Sequence, residues 1–374
     1  MIEAHAFSSI QAIERDAWNE CFPDALEDWD YIVAVEKAGI EGFNWRYLTL
    51  FEGPTLIAVA TAFTTCYRLD TTVQGVGKRF TEALHRVLPG LMQLPLYAIG
   101  SPVTEQCRAG TARHITPSQR PALLGRLLTL AQQDARALGI GLMAVKDVPS
   151  HDDDWANSCK GAGFQSMPSL PSAQLPVPFD SVDGYLGSLG KSTRKDMRRK
   201  WRAPGPQVEW RSHIDDVLPD VMRLYEASLA RSDLQWERLP PAYFTGILQQ
   251  LGDRALCALY WIDDTLVAFN LVLLDEHRLI DKFFGHDLAL TREYNLYFRS
   301  WLVNVDYCIR NGIGLYECGQ AGYASKIRLG CTFEGNTLFF RHRNRLINNA
   351  LKLVKLFIRP DRHDPAMAAA ISES

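Results

Sequence analysis

Four side chains able to move protons or hold developing charge fall within a short span of the chain: His286, Glu317, Tyr323 and Lys326. A histidine exchanges a proton near neutral pH without help from its surroundings. A carboxyl such as Glu317 does so once partly desolvated, because burial disfavours its charged form. Lys326 offers a cation for an oxyanion or a phosphate, and Tyr323 offers a hydroxyl donor. Each has a plain alternative. His286 and Glu317 can brace a turn or sit in a surface ion pair, and Tyr323 can pack an apolar edge.

The surrounding pattern places all four at element ends. Leu279 to Gly285 reads as an apolar strand that runs into His286 and Asp287. Tyr294 onward has helical spacing and stops at Asn311-Gly312, a helix C-cap pair. Leu315 to Glu317 is a short strand, which turns through Gly319 and Gly322 to Tyr323, Lys326 and Arg328. Open α/β sheets put their sites where strands end and loops begin. Asn295 and Tyr297, at the start of the helix from Tyr294, can present donors to an acyl or phosphate group, or simply cap and pack. Further back, Lys191, Arg194 and Arg198 share one face of a basic helix that ends before Pro204. Such a stripe is either a solvated face or a phosphate-binding one.

Gly314-Leu-Tyr-Glu317-Cys-Gly319, followed by Tyr323-Ala-Ser-Lys326-Ile-Arg328-Leu-Gly330, resembles the C-terminal signature of FemAB-like acyltransferases of the GNAT superfamily. The basic segment from Gly190 is similar to the one that opens the same domain. The resemblance covers residues 180–345 well and the first half weakly. It implies an α/β (α+β) fold of two tandem GNAT-like domains, each a mixed, mostly antiparallel sheet flanked by helices. It implies N-acyl transfer to a primary amine by direct attack, in keeping with the lack of a G-x-S-x-G elbow. On that reading His286 or Glu317 takes the amine proton, Lys326 stabilises the oxyanion and Tyr323 protonates the leaving group. Lys191, Arg194, Arg198, Asn295, Tyr297 and Arg328 hold the donor.

Two donor classes fit the resemblance. One is acyl-CoA, used as co-substrate to acylate a lipid-like amine such as a sphingoid base, as in bacterial ceramide synthases. The lack of a long heptad arm and the basic amphipathic tail favour it. The other is an aminoacyl-tRNA, with a peptide or cell-wall precursor as acceptor. A non-catalytic module for anionic ligands is the third reading, and nucleic acid enters only through tRNA. The usual pyrophosphate cradle Q/R-x-x-G-x-G/A is missing, with only the fragments Gln320-Ala-Gly322-Tyr-Ala324 and Arg108-Ala-Gly110-Thr-Ala in its place.

The 374 residues suit two domains, expected as 1–167, a proline-rich linker 168–180, a C-terminal domain 181–342 carrying most of the site, and a basic amphipathic helix with its tail over 343–374. In the first half, residues 1–40 show short helical patterns and Trp45 to Thr64 reads as a hairpin. A helix near Arg79 to Val87 and a long one from Pro117 to Leu138 follow. Each half has a hairpin before its main helix, as distant duplicates would. A net charge of −3 gives no global pull toward nucleic acid or membrane, so any such pull is local. The eight cysteines are scattered without a C-x-x-C, which points away from zinc and disulfides and toward a reducing compartment. No metal and no tightly bound cofactor are expected. With no basic-then-apolar leader and no run near ~20 apolar residues, a cytoplasmic protein is expected, with peripheral contact to the inner face of the cell membrane through the tail.

Overall fold

The computed structural model describes residues 1–68, 93–231, 237–354 and the single positions 366, 368 and 370. The helix expected near Arg79 to Val87 and the last turn of the tail helix lie outside the described residues.

The first half runs β1 (Ile2–Phe7), α1 (Arg15–Cys21), α2 (Trp29–Ala38), β2 (Phe43–Glu52), β3 (Thr55–Arg68), β4 (Gln93–Ile99), β5 (Ala109–Thr111), α3 (Arg120–Ala137), β6 (Leu142–Pro149), α4 (Asp153–Gly161) and β7 (Gln165–Pro168). The second half opens with β8 (Ser172–Pro176), α5 (Val182–Ser188), α6 (Lys191–Arg202), β9 (Gln207–Arg211), α7 (Leu218–Leu229), α8 (Pro241–Leu251) and β10 (Ala255–Ile262). It continues through β11 (Thr265–Leu274), β12 (Arg278–His286), α9 (Thr291–Tyr294), α10 (Leu296–Asn311), β13 (Leu315–Gly319), α11 (Tyr323–Arg328), β14 (Thr332–Glu334), β15 (Asn336–His342) and α12 (Arg345–Val354).

Local chemistry explains the main elements. In α3, Leu123, Leu124, Leu127, Leu128, Ala131 and Ala135 recur at helical spacing and are buried on the first sheet. Gly139, at φ 74°, then lets the chain leave the helix. The β10–β11 hairpin turns on Asp263 and Asp264, both left-handed at φ 45° and 59°, as a tight two-residue hairpin turn requires. The helix expected from Tyr294 is in fact two, because Asn295 sits at φ 52° and breaks it.

Two sheets form, in the orders β1-β2-β3-β4-β6-β15-β7, with β5 beside β3, and β14-β8-β13-β12-β11-β10-β9. The halves repeat one design. Three antiparallel strands (β2-β3-β4 or β10-β11-β12) are followed by a helix and a parallel strand, β6 on β4 or β13 on β12. Each parallel pair is brief, Leu96↔Leu142 to Ile99↔Val145 and Arg278↔Leu315 to Ile280↔Glu317. Beyond these registers the strands part, and each half has a split in its sheet.

Three expectations change. Residues 2–7, read within a helical stretch, form an edge strand on β2, because a short, half-exposed strand carries little periodicity. The expected linker holds β8, which pairs with both β13 and β14; its prolines flank or end the strand, where no ladder bond is lost. Finally, β15 lies within the range expected for the C-terminal domain but returns to the first sheet, between β6 and β7, and buries Phe339 in the first core. The halves are further joined by α2 on α8, where Tyr31 and Tyr243 share a hydrogen bond of 3.1 Å. Arg254 spans Asp28 and Asp30 at 2.7 and 2.9 Å.

Candidate active site

The two split strand pairs open toward each other, and between them lies a cavity of about 900 Å³. Its first-half wall is apolar, with Phe63, Leu96, Ala98, Ala144, Leu338 and Phe340. Its second-half wall is charged and aromatic, with Asp281, Lys282, Tyr297, Tyr316 and Lys326. A bulge explains part of this. Val272 faces Asp281 and Leu271 faces Phe283, so Lys282 is the extra residue in β12. In a regular strand Asp281 and Lys282 would point to opposite faces; the bulge lets both line the cavity.

The ionisable groups are held by specific partners. Asn270 Nδ2 donates to Asp281 at 2.7 Å, and the Tyr316 hydroxyl donates to its other oxygen at 2.9 Å. Asn304 Nδ2 braces both Asn270 Oδ1, at 2.7 Å, and Tyr316, at 3.0 Å. Burial still raises the Asp281 carboxyl above the ordinary carboxylate range, against those hydrogen bonds. Lys282 donates to Glu27 at 2.5 Å and to the Val103 carbonyl at 2.8 Å, over the Tyr31 ring. Burial works against the Lys282 cation, but Glu27 outweighs it and the amine stays charged. Lys326, 5% exposed, donates to the Gly319 carbonyl at 2.7 Å.

Glu105 completes the cluster from the first half. It sits, half-buried, on the loop after β4 and lines the cavity. Burial pushes its carboxyl up to about 7, with Lys326 and Lys282 pulling the other way. Gly319 separates the two: a Cβ placed there would lie 3.0 Å from Glu105 Oε1 and 3.8 Å from Lys326 Nζ. Gly319 also has φ 81°, so only glycine meets both demands. Gln320 fixes the arrangement by donating to the Glu105 carbonyl at 3.2 Å and to Leu170 O at 2.9 Å. A carboxyl near neutrality, a buried cation and a bare backbone gap together suit proton removal from an amine beside a developing oxyanion.

The family model for FemAB-like proteins, described as peptidoglycan biosynthesis/recognition, matches residues 9–364. The chain belongs to the FemAB-like family. Sequence comparison with curated proteins finds no match. Among solved structures the chain is similar to FemX, at 13% identity and TM-score 0.59, over 94% of this chain and 100% of that one. It is also similar to the C-terminal domain of a putative lysylphosphatidylglycerol synthetase from Agrobacterium fabrum, at 13% identity and TM-score 0.54, over 94% and 96%. A tandem GNAT protein from the clavulanic acid pathway matches at 12% identity and TM-score 0.55, over 92% and 99%. At these identities the likeness is one of fold. Family and fold together support acyl or aminoacyl transfer as the general class of activity.

In this FemAB-like chain the candidates read from sequence fall into three places. Lys326 and Tyr297 line the cavity. Glu317 points to the other face of β13, into a smaller cavity of about 90 Å³, where burial raises its carboxyl and Arg278, at 3.5 Å, opposes that. Thr104 and Glu105 line both cavities. His286, Tyr323 and the basic cluster do not line either. His286 is pushed down to about 4 by burial and then by Arg231, so it is neutral at pH 7, and its Nδ1 has no hydrogen-bond partner among the described residues. The Tyr323 hydroxyl donates to Pro171 O at 3.0 Å and its ring packs on Phe333. Asn295 serves the junction of α9 and α10.

The basic face of α6 is largely engaged. Arg194 donates to Gly187 O at 3.1 Å and Arg198 pairs with Asp183 at 3.1 Å. Arg328 approaches Asp196 at 3.6 Å, which also holds Arg199 and Lys200 at 2.8 Å. Lys191 opens the helix and is exposed. Sequence reading missed Glu105, Asp281 and Lys282. The suspicion of two duplicate halves contained the signal for Glu105, since the loop after β4 is the first-half counterpart of the loop after β12.

Proposed function

We propose that the protein forms an amide by moving an aminoacyl group from an aminoacyl-tRNA ester to a primary amine of a peptide or cell-wall precursor. The placement of Glu105 and Lys326 on either side of Gly319, at the junction of the halves, carries this reading. The family's description, peptidoglycan biosynthesis/recognition, supports the choice of acceptor. The amine nitrogen attacks the acyl carbonyl carbon; the C–N bond forms and the C–O bond to the ribose breaks. Glu105 takes the proton that the amine loses and returns it to the leaving oxygen. Lys326 keeps N–H groups beyond the one given to Gly319 O, and these face the carbonyl oxygen as it gains charge. Neither residue needs a covalent intermediate. Lys191, Arg194, Arg198 and Arg328 are the cations nearest in kind to a phosphate-bearing donor, and their weakening raises KM rather than lowering kcat.

A second reading keeps the same step with a long-chain acyl-CoA as donor and a sphingoid base as acceptor. The apolar wall from Phe63 to Phe340 supports it, because an alkyl chain would bury there.

The test runs both donors side by side. Labelled aminoacyl-tRNA is offered with a peptide carrying a free lysine ε-amine, and labelled palmitoyl-CoA with a sphingoid base. Label on the peptide, lost in Glu105→Gln and Lys326→Ala, is the expected outcome. Label on the sphingoid base alone moves the assignment to the second reading. Label on neither leaves a binding module.

A further inference from the structure

We infer that Asp281 and Tyr297 form a pocket for the α-ammonium group of the donor's aminoacyl moiety, so that the site tells an aminoacyl ester from a plain acyl ester. The inference rests on the transfer reading above and deepens it.

The charge of the large cavity asks for a cation. Among the described residues four carboxyls line it, Glu105, Asp147, Glu237 and Asp281, against three lysines, Lys146, Lys282 and Lys326. Two of those lysines are already paired, Lys146 with Asp147 and Lys282 with Glu27. Lys326 is left alone to balance Glu105, Glu237 and Asp281. The lining is therefore short of positive charge whenever Glu105 is ionised, as a base must be.

Asp281 is held ready to receive such a charge. Asn270 donates to one of its oxygens and Tyr316 to the other, and Asn304 locks both partners in place. A carboxylate oxygen has two lone-pair sites, so one on each is left for a ligand. Neither nearby lysine fills them, because Lys282 holds Glu27 and Lys326 holds Gly319 O. Tyr297 lines the same cavity, and its hydroxyl has no hydrogen-bond partner among the described residues. The phenol stays protonated, through burial and then the charge of Asp281, so its oxygen is a neutral acceptor beside that carboxylate. An ammonium group, with three N–H donors, suits the two together.

Position says which ammonium it is. A Cβ placed on Gly319 would lie 3.0 Å from Glu105 Oε1, 3.8 Å from Lys326 Nζ and 3.9 Å from the Asp281 carbonyl oxygen. Lys326 is also the foremost cation acting on both carboxyls. An acyl carbonyl oxygen held at Lys326 thus has one acid from each half of the chain close by. Glu105 serves the incoming amine. Asp281 is left for the group on the donor's α-carbon, and in an aminoacyl ester that group is an ammonium. A fatty acyl chain would put a methylene there and leave the carboxylate without a partner.

The experiment compares alanyl-tRNA and phenylalanyl-tRNA with their α-hydroxy counterparts, lactyl-tRNA and phenyllactyl-tRNA, on the same lysine-bearing peptide. The readout is the ratio of kcat/KM for the amino and hydroxy donors. In the wild type the amino donor is expected to lead by about 100-fold or more. In D281N the lead is expected to shrink to about tenfold or less, and in Y297F by at least about threefold. A residue that only supports the fold would slow both donors in step and leave the ratio alone. Equal use of the two donors by the wild type overturns the pocket and leaves the transfer reading standing. So does a ratio unchanged in Y297F, even where D281N does not fold. If no tRNA donates, the transfer reading falls, and calorimetry with L-phenylalaninamide and phenyllactamide judges the pocket by itself. Binding of the first alone, lost in D281N, keeps it; equal or absent binding ends it.

Discussion

Replacing Glu105 by Gln keeps its shape and removes its ability to take a proton. Transfer is expected to fall about 100-fold or more, with KM for the donor little changed. In the wild type, activity is expected to rise with pH through about 7, as burial holds Glu105 protonated below that point. The same residue links stability to pH. Its carboxyl titrates near 4.5 in the unfolded chain and near 7 in the folded one, so the folded state holds the extra proton between those values. Wild-type stability therefore falls as pH rises through that window, whereas Glu105→Gln is unaffected by it. Above the window the variant is expected to be more stable by about 1–3 kcal/mol, read from urea midpoints at pH 5 and pH 8. His286 gives the contrast. Half-buried, neutral and outside the cavity, it is expected to tolerate His286→Gln with less than about tenfold loss of transfer. Its position at a strand end was legible in the sequence; its desolvation was not, because the groups around it come from distant segments.

At the scale of elements, β12 sets the site through two local features. The bulge at Lys282 aims two consecutive charges one way, and Gly285 lets Phe269 lie against the strand. A Cβ at Gly285 would sit 2.3 Å from the Phe269 ring, itself fully buried and stacked on Phe283. Gly285→Ala is expected to cost about 1–3 kcal/mol of stability by overpacking, seen as a lower denaturation midpoint. The strand itself was legible from its apolar run. The bulge was not, since it is a mismatch of register with β11 and exists only once the strands pair. The basic stripe of α6 was also legible, and so were the local pairs of Arg199 and Lys200 with Asp196, but the Arg198–Asp183 and Arg328–Asp196 pairs depend on how α5 and α11 pack beside it.

Across the whole molecule the halves are interlocked rather than merely tandem. β15, from the end of the described chain, fills the first sheet between β6 and β7. Phe339 on it is 1% exposed and packs in the core of the first half. Phe339→Ala is expected to cost about 3–5 kcal/mol, even though the residue lies far from that half in sequence. A chain ending at residue 335 is expected to lose cooperative unfolding of the first half, measured by circular dichroism against temperature. The cavity shares this composite nature, with its apolar wall from one half and its charges mostly from the other. No helix among the described residues is long and apolar enough to cross a membrane.

The sequence by itself determined the class of each half, because helical and strand periods, the glycine and asparagine stops and the Glu317 to Gly330 signature are all local. It also carried the amphipathic tail and the place of Lys326. Only the tertiary structure decided which acid faces that lysine. Glu317 alternates to the far side of β13, and Glu105 arrives from a strand end more than two hundred residues earlier. Which groups share a desolvated space depends on strand register and on the docking of the two halves. Those are long-range packing outcomes that no window of sequence contains.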